Sequence, residues 1–331
     1  MRVLVTGASG YIGSHTVDAL LGAGHDVRVL VRSPSRAARS LGPSWARVEM
    51  AVGEVTDTVA VTAAIDGCDS VIHAAGEIGV AGGTGPGSAA VNVDGLRVVA
   101  EAGLAIGADP IVYTSTVVAY LPTDKAMLTS RSPLAAPMSA YGASKIQAEH
   151  LVRAWQKQGA PITSVVIGGV YGPGSPNRDG SFAAVLGALQ FMMLVPPGGM
   201  GVIDVRDLAL LLERSVASGQ GPRHLMAGGP FVHWSDWTDL LSEAAGQPVV
   251  RQEITAAELI ELGERFDLQR AGGTDTPGPL SREAAIVMTS GVPTDDAPTL
   301  AALGVSYRPT LETFRDIVAY LRSTGDLPPD R

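Results

Sequence analysis

A short apolar run, Val3-Leu-Val5, leads directly into Thr6-Gly-Ala-Ser-Gly-Tyr-Ile-Gly13, after which Ile12, Val17, Leu20 and Leu21 fall at helical spacing. Few folds accept three glycines at these intervals between a buried strand and a helix. Gly7 allows a tight turn, Gly10 lets a pyrophosphate approach the backbone, and Gly13 lets the helix lie close to the strand. The start of that helix presents unpaired N–H groups and the positive end of its dipole. The segment therefore predicts a dinucleotide-binding unit, with Gly7, Ser9, Gly10, Tyr11, Ile12 and Gly13 around the phosphates.

A second strand, Asp26-Val-Arg-Val-Leu-Val31, ends in Arg32-Ser33. An acidic residue at this strand end would bind the ribose 2′-hydroxyl of NAD. Here Val31 holds the place, and Arg32, Arg36 and Arg39 follow. A guanidinium pairs well with a 2′-phosphate, so NADP(H) is favoured over NAD(H). Val48-Glu-Met50, a helix near 58–66 and the strand Ser70-Val-Ile-His-Ala-Ala-Gly76 continue the alternation. Strands alternating with helices predict an α/β fold with a doubly wound parallel sheet of the Rossmann type. Glu77–Ser88, glycine-rich and without apolar period, reads as a flexible loop at the carboxyl edge of that sheet, where ligands enter.

The chain holds three lysines, Lys125, Lys145 and Lys157, and one follows a tyrosine by four residues in Tyr141-Gly-Ala-Ser-Lys145. With seven tyrosines among 331 residues, independent placement yields about 0.06 such pairs. The spacing puts both side chains on one helix face, a turn apart. An ammonium beside a phenol is expected to lower the phenol pKa and make it a usable proton donor or acceptor.

The formal net charge is −9 with no long basic run, which argues against a nucleic-acid surface. Cys68 stands alone and suits a reducing compartment. The chain enters on the strand-like Arg2–Thr6 with no signal-peptide core ahead of it, and no apolar run reaches the length of a spanning helix. The six histidines lack metal-site spacing, so no metal is expected. These features predict a cytoplasmic protein acting on a small molecule.

With His73-Ala-Ala-Gly76, Asn92-Val-Asp-Gly95, Tyr113-Thr-Ser-Thr116, Val170-Tyr-Gly-Pro-Gly174, Val202-Ile-Asp-Val-Arg-Asp-Leu208 and Leu303-Gly-Val-Ser-Tyr-Arg-Pro309 added, the chain resembles the extended short-chain dehydrogenase/reductase superfamily. The resemblance covers nearly the whole chain, and its strength lies in the order and spacing of the segments. It implies that Lys145 also holds the nicotinamide ribose, and that Thr116, with Ser115 as runner-up, orients the substrate oxygen. Thr116, Tyr141 and Lys145 are then the catalytic set. It puts Val55 near the adenine and Ala74, Ala75 and Gly76 along the cofactor, and adds Glu54, Asn92 and Val170 to the cofactor residues. It also implies a possible homodimer through helices at 92–107 and 141–158.

Residues 1–170 are expected to form the dinucleotide-binding domain, with 201–227 rejoining it. Residues 171–200 and 228–331 would form a smaller C-terminal substrate-binding lobe. Ser181–Val195 reads as one helix, apolar almost all round, and Ser235 as the N-cap of a helix through Trp237, Leu240 and Leu241. Gly272–Pro279 and Ser290–Pro298 read as loops, and Leu311–Leu321 as the closing amphipathic helix. Three activities compete: an NADPH-dependent carbonyl reductase similar to dihydroflavonol reductases, a nucleotide-sugar epimerase or dehydratase, and a non-catalytic NADP-binding protein. Sugar-nucleotide enzymes commonly carry arginine and asparagine before the YGPG-like turn, where this chain has Val166 and Gly169. Neither offers a side-chain donor to a diphosphate. The first reading is preferred.

Overall fold

Unbroken runs of Val, Ile and Leu, such as Val3–Val5 and Val165–Ile167, are too apolar for strands with one wet face and require cover on both sides. A computed structural model of the chain describes residues 1–77, 90–176, 180–274, 276 and 280–328. Its first half alternates β1 (Arg2–Thr6), α1 (Tyr11–Gly22), β2 (Asp26–Val31), α2 (Pro34–Leu41), β3 (Glu49–Val52), α3 (Thr58–Ile65), β4 (Ser70–His73), α4 (Gly95–Ile106), β5 (Ile111–Thr116), α5 (Ala140–Lys157) and β6 (Ile162–Ile167). There follow β7 (Gly169–Tyr171), α6 (Ser181–Gln190), β8 (Met193–Val195), β9 (Gly199–Asp204), α7 (Val205–Arg214), β10 (Arg223–Ala227), β11 (Phe231–His233) and α8 (Trp234–Ala245). The chain closes with β12 (Arg251–Glu253), α9 (Ala256–Ala271), α10 (Arg282–Ser290), α11 (Ala297–Leu303) and α12 (Thr310–Ser323).

Seven parallel strands form the main sheet in the order β10-β6-β5-β4-β1-β2-β3. The order reverses between β1 and β4, where Thr6 pairs with His73, and ligands bind such sheets at that crevice. Core residues from both faces of the sheet pack against helices: Val5, Val29 and Ile72 against Val17, Leu20 and Leu208 on one side, and Leu4, Val71 and Ile111 against Ile65, Leu96 and Val152 on the other. A separate cluster of Phe182, Val185, Trp234, Trp237, Leu241 and Phe314 forms the core of the C-terminal lobe.

Several expected elements differ. The helix beginning at Ser181 stops at Gln190, and Met193–Val195 is instead β8, paired with β12. Its far end is wet: Phe191 is 76% exposed. Of residues 201–227, β10 joins the main sheet beside β6, whereas β9 lies in a three-stranded sheet with β7 and β11. The helix near Trp237 begins at Trp234, so His233 and not Ser235 precedes it. After β2, Ser33 caps α2 by accepting the Arg36 N–H, and Arg36 and Arg39 belong to that helix. Residues 78–88 of the expected entry loop, and 275 and 277–279 of the Gly272–Pro279 loop, lie outside the described residues.

Candidate active site

β1 delivers Thr6 and the glycine turn to the crevice. Gly7 has φ of +75°, and a side chain there would collide with the backbone of Ala74 and Ala75 at 2.5–2.6 Å. Gly13 is needed for closeness: a Cβ would stand 2.2 Å from the Gly7 carbonyl oxygen. α1 starts after Gly10 with no side chain capping it. Its first N–H groups are thus open to an anion. Ser9 and Ile12 are partly buried around this turn. The Tyr11 side chain is spent elsewhere, its hydroxyl donating to the Gly172 carbonyl at 2.6 Å while its ring meets Phe182 edge-on. Tyr11 can therefore serve a phosphate through its backbone N–H.

The partner strand supplies the opposite wall. Ala74 N–H donates to the Thr6 carbonyl and Ala75 N–H to the Thr6 hydroxyl, which also bonds His73 Nδ1 at 2.8 Å. Burial drives the His73 imidazole down to about 3, with the Lys145 ammonium adding to the effect, so it stays neutral. A Cβ on Gly76 would lie 3.2 Å from Asn92 Oδ1 and 3.8 Å from Lys145 Nζ. Asn92 sits in a single π-turn, Ala90–Asp94, ahead of α4. It accepts from Glu77 N–H and donates to the Glu77 carbonyl and to Ser144 Oγ. This brackets the β4 strand end against α5. Val55 packs beneath Gly95, where a Cβ would meet its Cγ2 at 2.7 Å. Arg32, Arg36 and Glu54 are exposed on the segments that follow β2 and β3. Val170 lies in β7, and its carbonyl accepts from Ser181 Oγ, seating α6 beside the crevice.

Thr116 and Tyr141 meet: a hydrogen bond joins the threonine hydroxyl and the phenol. Thr116 also accepts from Val118 N–H at 3.2 Å, so it caps the following turn as well. Ser115 is buried with its hydroxyl unpartnered and is not brought to the phenol. Lys145 is 8% exposed, and its Nζ donates to the Tyr113 hydroxyl and the Thr114 carbonyl, each at 3.3 Å. The ammonium also lies 5.1 Å from the Tyr113 ring centroid. Burial lowers Lys145 to about 8, and the Glu149 carboxylate opposes that fall.

The expected lowering of the Tyr141 pKa is overturned. Burial pushes the phenol well above its ordinary value of 10, the Glu283 carboxylate adds to the rise, and the Thr116 hydrogen bond pulls back. Desolvation of a fully enclosed phenol outweighs the charge one turn away, and that ammonium is turned toward Tyr113. Two neighbours were missed from the sequence, Tyr113 and Glu283. Tyr113 stands three residues before Thr116, so its side chain lies across the strand from that of Thr116, and Glu283 reaches Ser139 across 144 residues. Only the strand position of Tyr113 left a local signal.

The glycine turn, the uncapped α1 start and the Lys145 position fit a nicotinamide dinucleotide. At the other side of the crevice, Val166 is fully buried and a side chain on Gly169 would strike Met200 Cε at 2.2 Å. Neither position can offer a polar side chain to a ligand.

A family model described as NAD dependent epimerase/dehydratase family matches residues 3–190. The chain is 39% identical over 121 residues to a 3 beta-hydroxysteroid dehydrogenase/Delta 5-->4-isomerase of Mycobacterium tuberculosis, covering 35% of this chain and about a third (31%) of that protein. It is 26% identical to Sterol demethylase protein B of Methylococcus capsulatus across 98% of this chain and 99% of that one. A solved UDP-glucose 4-epimerase from Bifidobacterium longum, in complex with NAD+ and UDP, shares the fold with a TM-score of 0.72 at 19% identity, covering 98% and 99% of the two chains. Among the described residues no helix is long and apolar enough to cross a membrane. The chain belongs to the NAD-dependent epimerase/dehydratase family, within the extended short-chain dehydrogenase/reductase enzymes.

Proposed function

We propose that this protein is an NADPH-dependent reductase of a ketone or aldehyde on a small, largely apolar substrate. The carrying observation is the meeting of Thr116 and Tyr141 at the β5 end beside Lys145. When bound, NADPH supplies the hydride for the carbonyl carbon. Tyr141, protonated throughout the neutral range, gives its proton to the carbonyl oxygen. Thr116 shares a hydrogen bond with that phenol and orients the same oxygen. The Lys145 ammonium stabilises the phenolate as the proton leaves and holds the nicotinamide ribose. Gly7, Gly10 and Gly13 with the α1 start would receive the pyrophosphate, and Arg32 and Arg36 would pair with the 2′-phosphate.

The apolar substrate is supported by Val166 and Gly169, which leave a diphosphate without side-chain donors, and by the steroid and sterol proteins among the relatives. A homodimer through α4 and α5, and residence in a reducing cytoplasm, belong to the same reading. Light scattering of the purified protein tests the dimer.

The deciding experiment follows NADPH and NADH oxidation with a panel of hydrophobic ketones and aldehydes, beside UDP-sugar interconversion. Steady NADPH-dependent turnover of a carbonyl is expected. Silence on every carbonyl with interconversion of a UDP-sugar defeats the reading. Replacing Arg32 by Ala should reduce the preference for NADPH over NADH, and an unchanged preference would exclude its role.

A further inference from the structure

The catalytic helix is gripped from the C-terminal lobe by a buried carboxylate. Glu283, in the first turn of α10, is 6% exposed, and it accepts a hydrogen bond from Ser139 Oγ. The Gly142 N–H also donates to it. Ser139 is the N-cap of α5 and itself accepts from Gly142 N–H at 2.9 Å. The carboxylate thus completes the N-terminus of the helix that carries Tyr141 and Lys145, where the helix dipole favours negative charge. A methyl group on Gly142 would lie 3.1 Å from Glu283 Oε1, so glycine here leaves the space the carboxylate fills.

We infer that Glu283 is a positioning residue for the proposed Tyr141 chemistry, clamping the first turn of α5 from α10 and setting a negative charge beside the phenol. The inference deepens the reductase reading and rests on it for its kinetic part. The contact is not mere lobe packing, because its charge is felt at Tyr141, where it raises the phenol's proton affinity. The charged and titratable groups facing Glu283 are the Tyr141 phenol on α5 and Asp267 on α9, the latter held by Arg270 and by the Arg282 N–H. Burial lifts the Glu283 carboxyl above its ordinary value of 4.5, the Ser139 bond opposes this, and Asp267 adds to the rise. It therefore takes up its proton at a higher pH than an exposed glutamate does, while the Tyr141 phenol stays protonated.

The protein labelled with 13Cζ-tyrosine tests the clamp without turnover. The Tyr141 resonance is assigned by its absence from Tyr141→Phe. It should shift in one step as Glu283 titrates, at a higher pH than an exposed carboxyl because burial raises it. The step should vanish in Glu283→Gln, which keeps both hydrogen bonds, and move to higher pH in Ser139→Ala. A second readout is kinetic: Glu283→Ala should lower kcat roughly tenfold with NADPH affinity changed less than about twofold. A folded Glu283→Gln variant that retains the wild-type Tyr141 step overturns the inference. So does a folded Glu283→Ala variant with wild-type kcat. If the wild-type protein reduces no carbonyl, the reductase reading fails while the resonance step still judges the clamp.

Discussion

Tyr141 and Lys145 respond to burial in opposite directions. Enclosure raises the phenol and lowers the ammonium, because each neutral form is the cheaper one away from water. The phenol therefore remains a donor across neutral pH, and the lysine becomes the group whose charge is lost first. Lys145 is charged below about 8 and neutral above it. Reduction that needs the ammonium should fall as pH rises through that value, with kcat/KM for NADPH dropping about tenfold per unit beyond it. A pH profile from 6 to 10 checks this, and a flat plateau to pH 10 contradicts it. Tyr141→Phe removes the donor and little else, so kcat should drop by roughly 10²-fold or more with NADPH affinity within about twofold. Stopped-flow binding and steady-state rates separate the two. That Tyr141 and Lys145 share one helix was legible in the chain because theirs is a local, one-turn spacing. The direction of the tyrosine shift was not, since it depends on how completely distant elements enclose the ring, among them Glu283 on α10.

Among elements, the β1–α1 junction has the least freedom. Gly13 lies where the helix passes over the turn, and any side chain must push the Gly7 carbonyl aside. Gly13→Ala should cost about 1–3 kcal/mol of stability and weaken NADPH binding by roughly tenfold or more, because the displaced backbone is the proposed phosphate cradle. Gly22, exposed in the last turn of the same helix, has nothing within 4 Å of the point where a methyl group would stand. Gly22→Ala should instead stabilise by about 0.5–1 kcal/mol and leave NADPH affinity unchanged. Calorimetry and fluorescence titration of the two variants measure the contrast, and equal effects would refute the account of the junction. This junction was readable because turn, strand and helix are contiguous. The end of α6 was not: Phe191 to Val195 keep an apolar pattern that continues a helix, yet Val195 pairs with Glu253, 58 residues away. A short apolar run is ambiguous between helix and strand until its partner is known. The start of α8 shows the same limit, since a serine just inside the helix resembles a cap while β11 runs directly into the helix at Trp234.

At the scale of the whole molecule, buried histidines make the fold sensitive to acid. Burial lowers His15, His73 and His224, and His73 falls furthest, to about 3. Its ring is 1% exposed at the β4 end, held through Nδ1 by Thr6 and stacked near Tyr113, with Nε2 unpartnered. An imidazolium there would find no acceptor for its Nε2–H and would face the Lys145 ammonium. Unfolded histidine binds a proton near 6.5, so between about 6.5 and 3 the unfolded chain holds more protons than the native one. Stability is therefore complete above about 6.5 and is lost as pH falls through that window. His73 alone contributes a slope of about 1.4 kcal/mol per pH unit there, and His15 and His224 act in the same direction. Glu283 acts in the opposite one, because a carboxyl raised by folding binds its proton more tightly in the native state. Urea unfolding at steps from pH 5 to 8 should show the loss beginning below 6.5. His73→Asn, which can still bond Thr6 but cannot ionise, should flatten the slope between pH 5 and 6 by about 1.4 kcal/mol per unit. A variant that folds and keeps the wild-type slope would remove His73 from the explanation and leave the acid sensitivity to the other two rings.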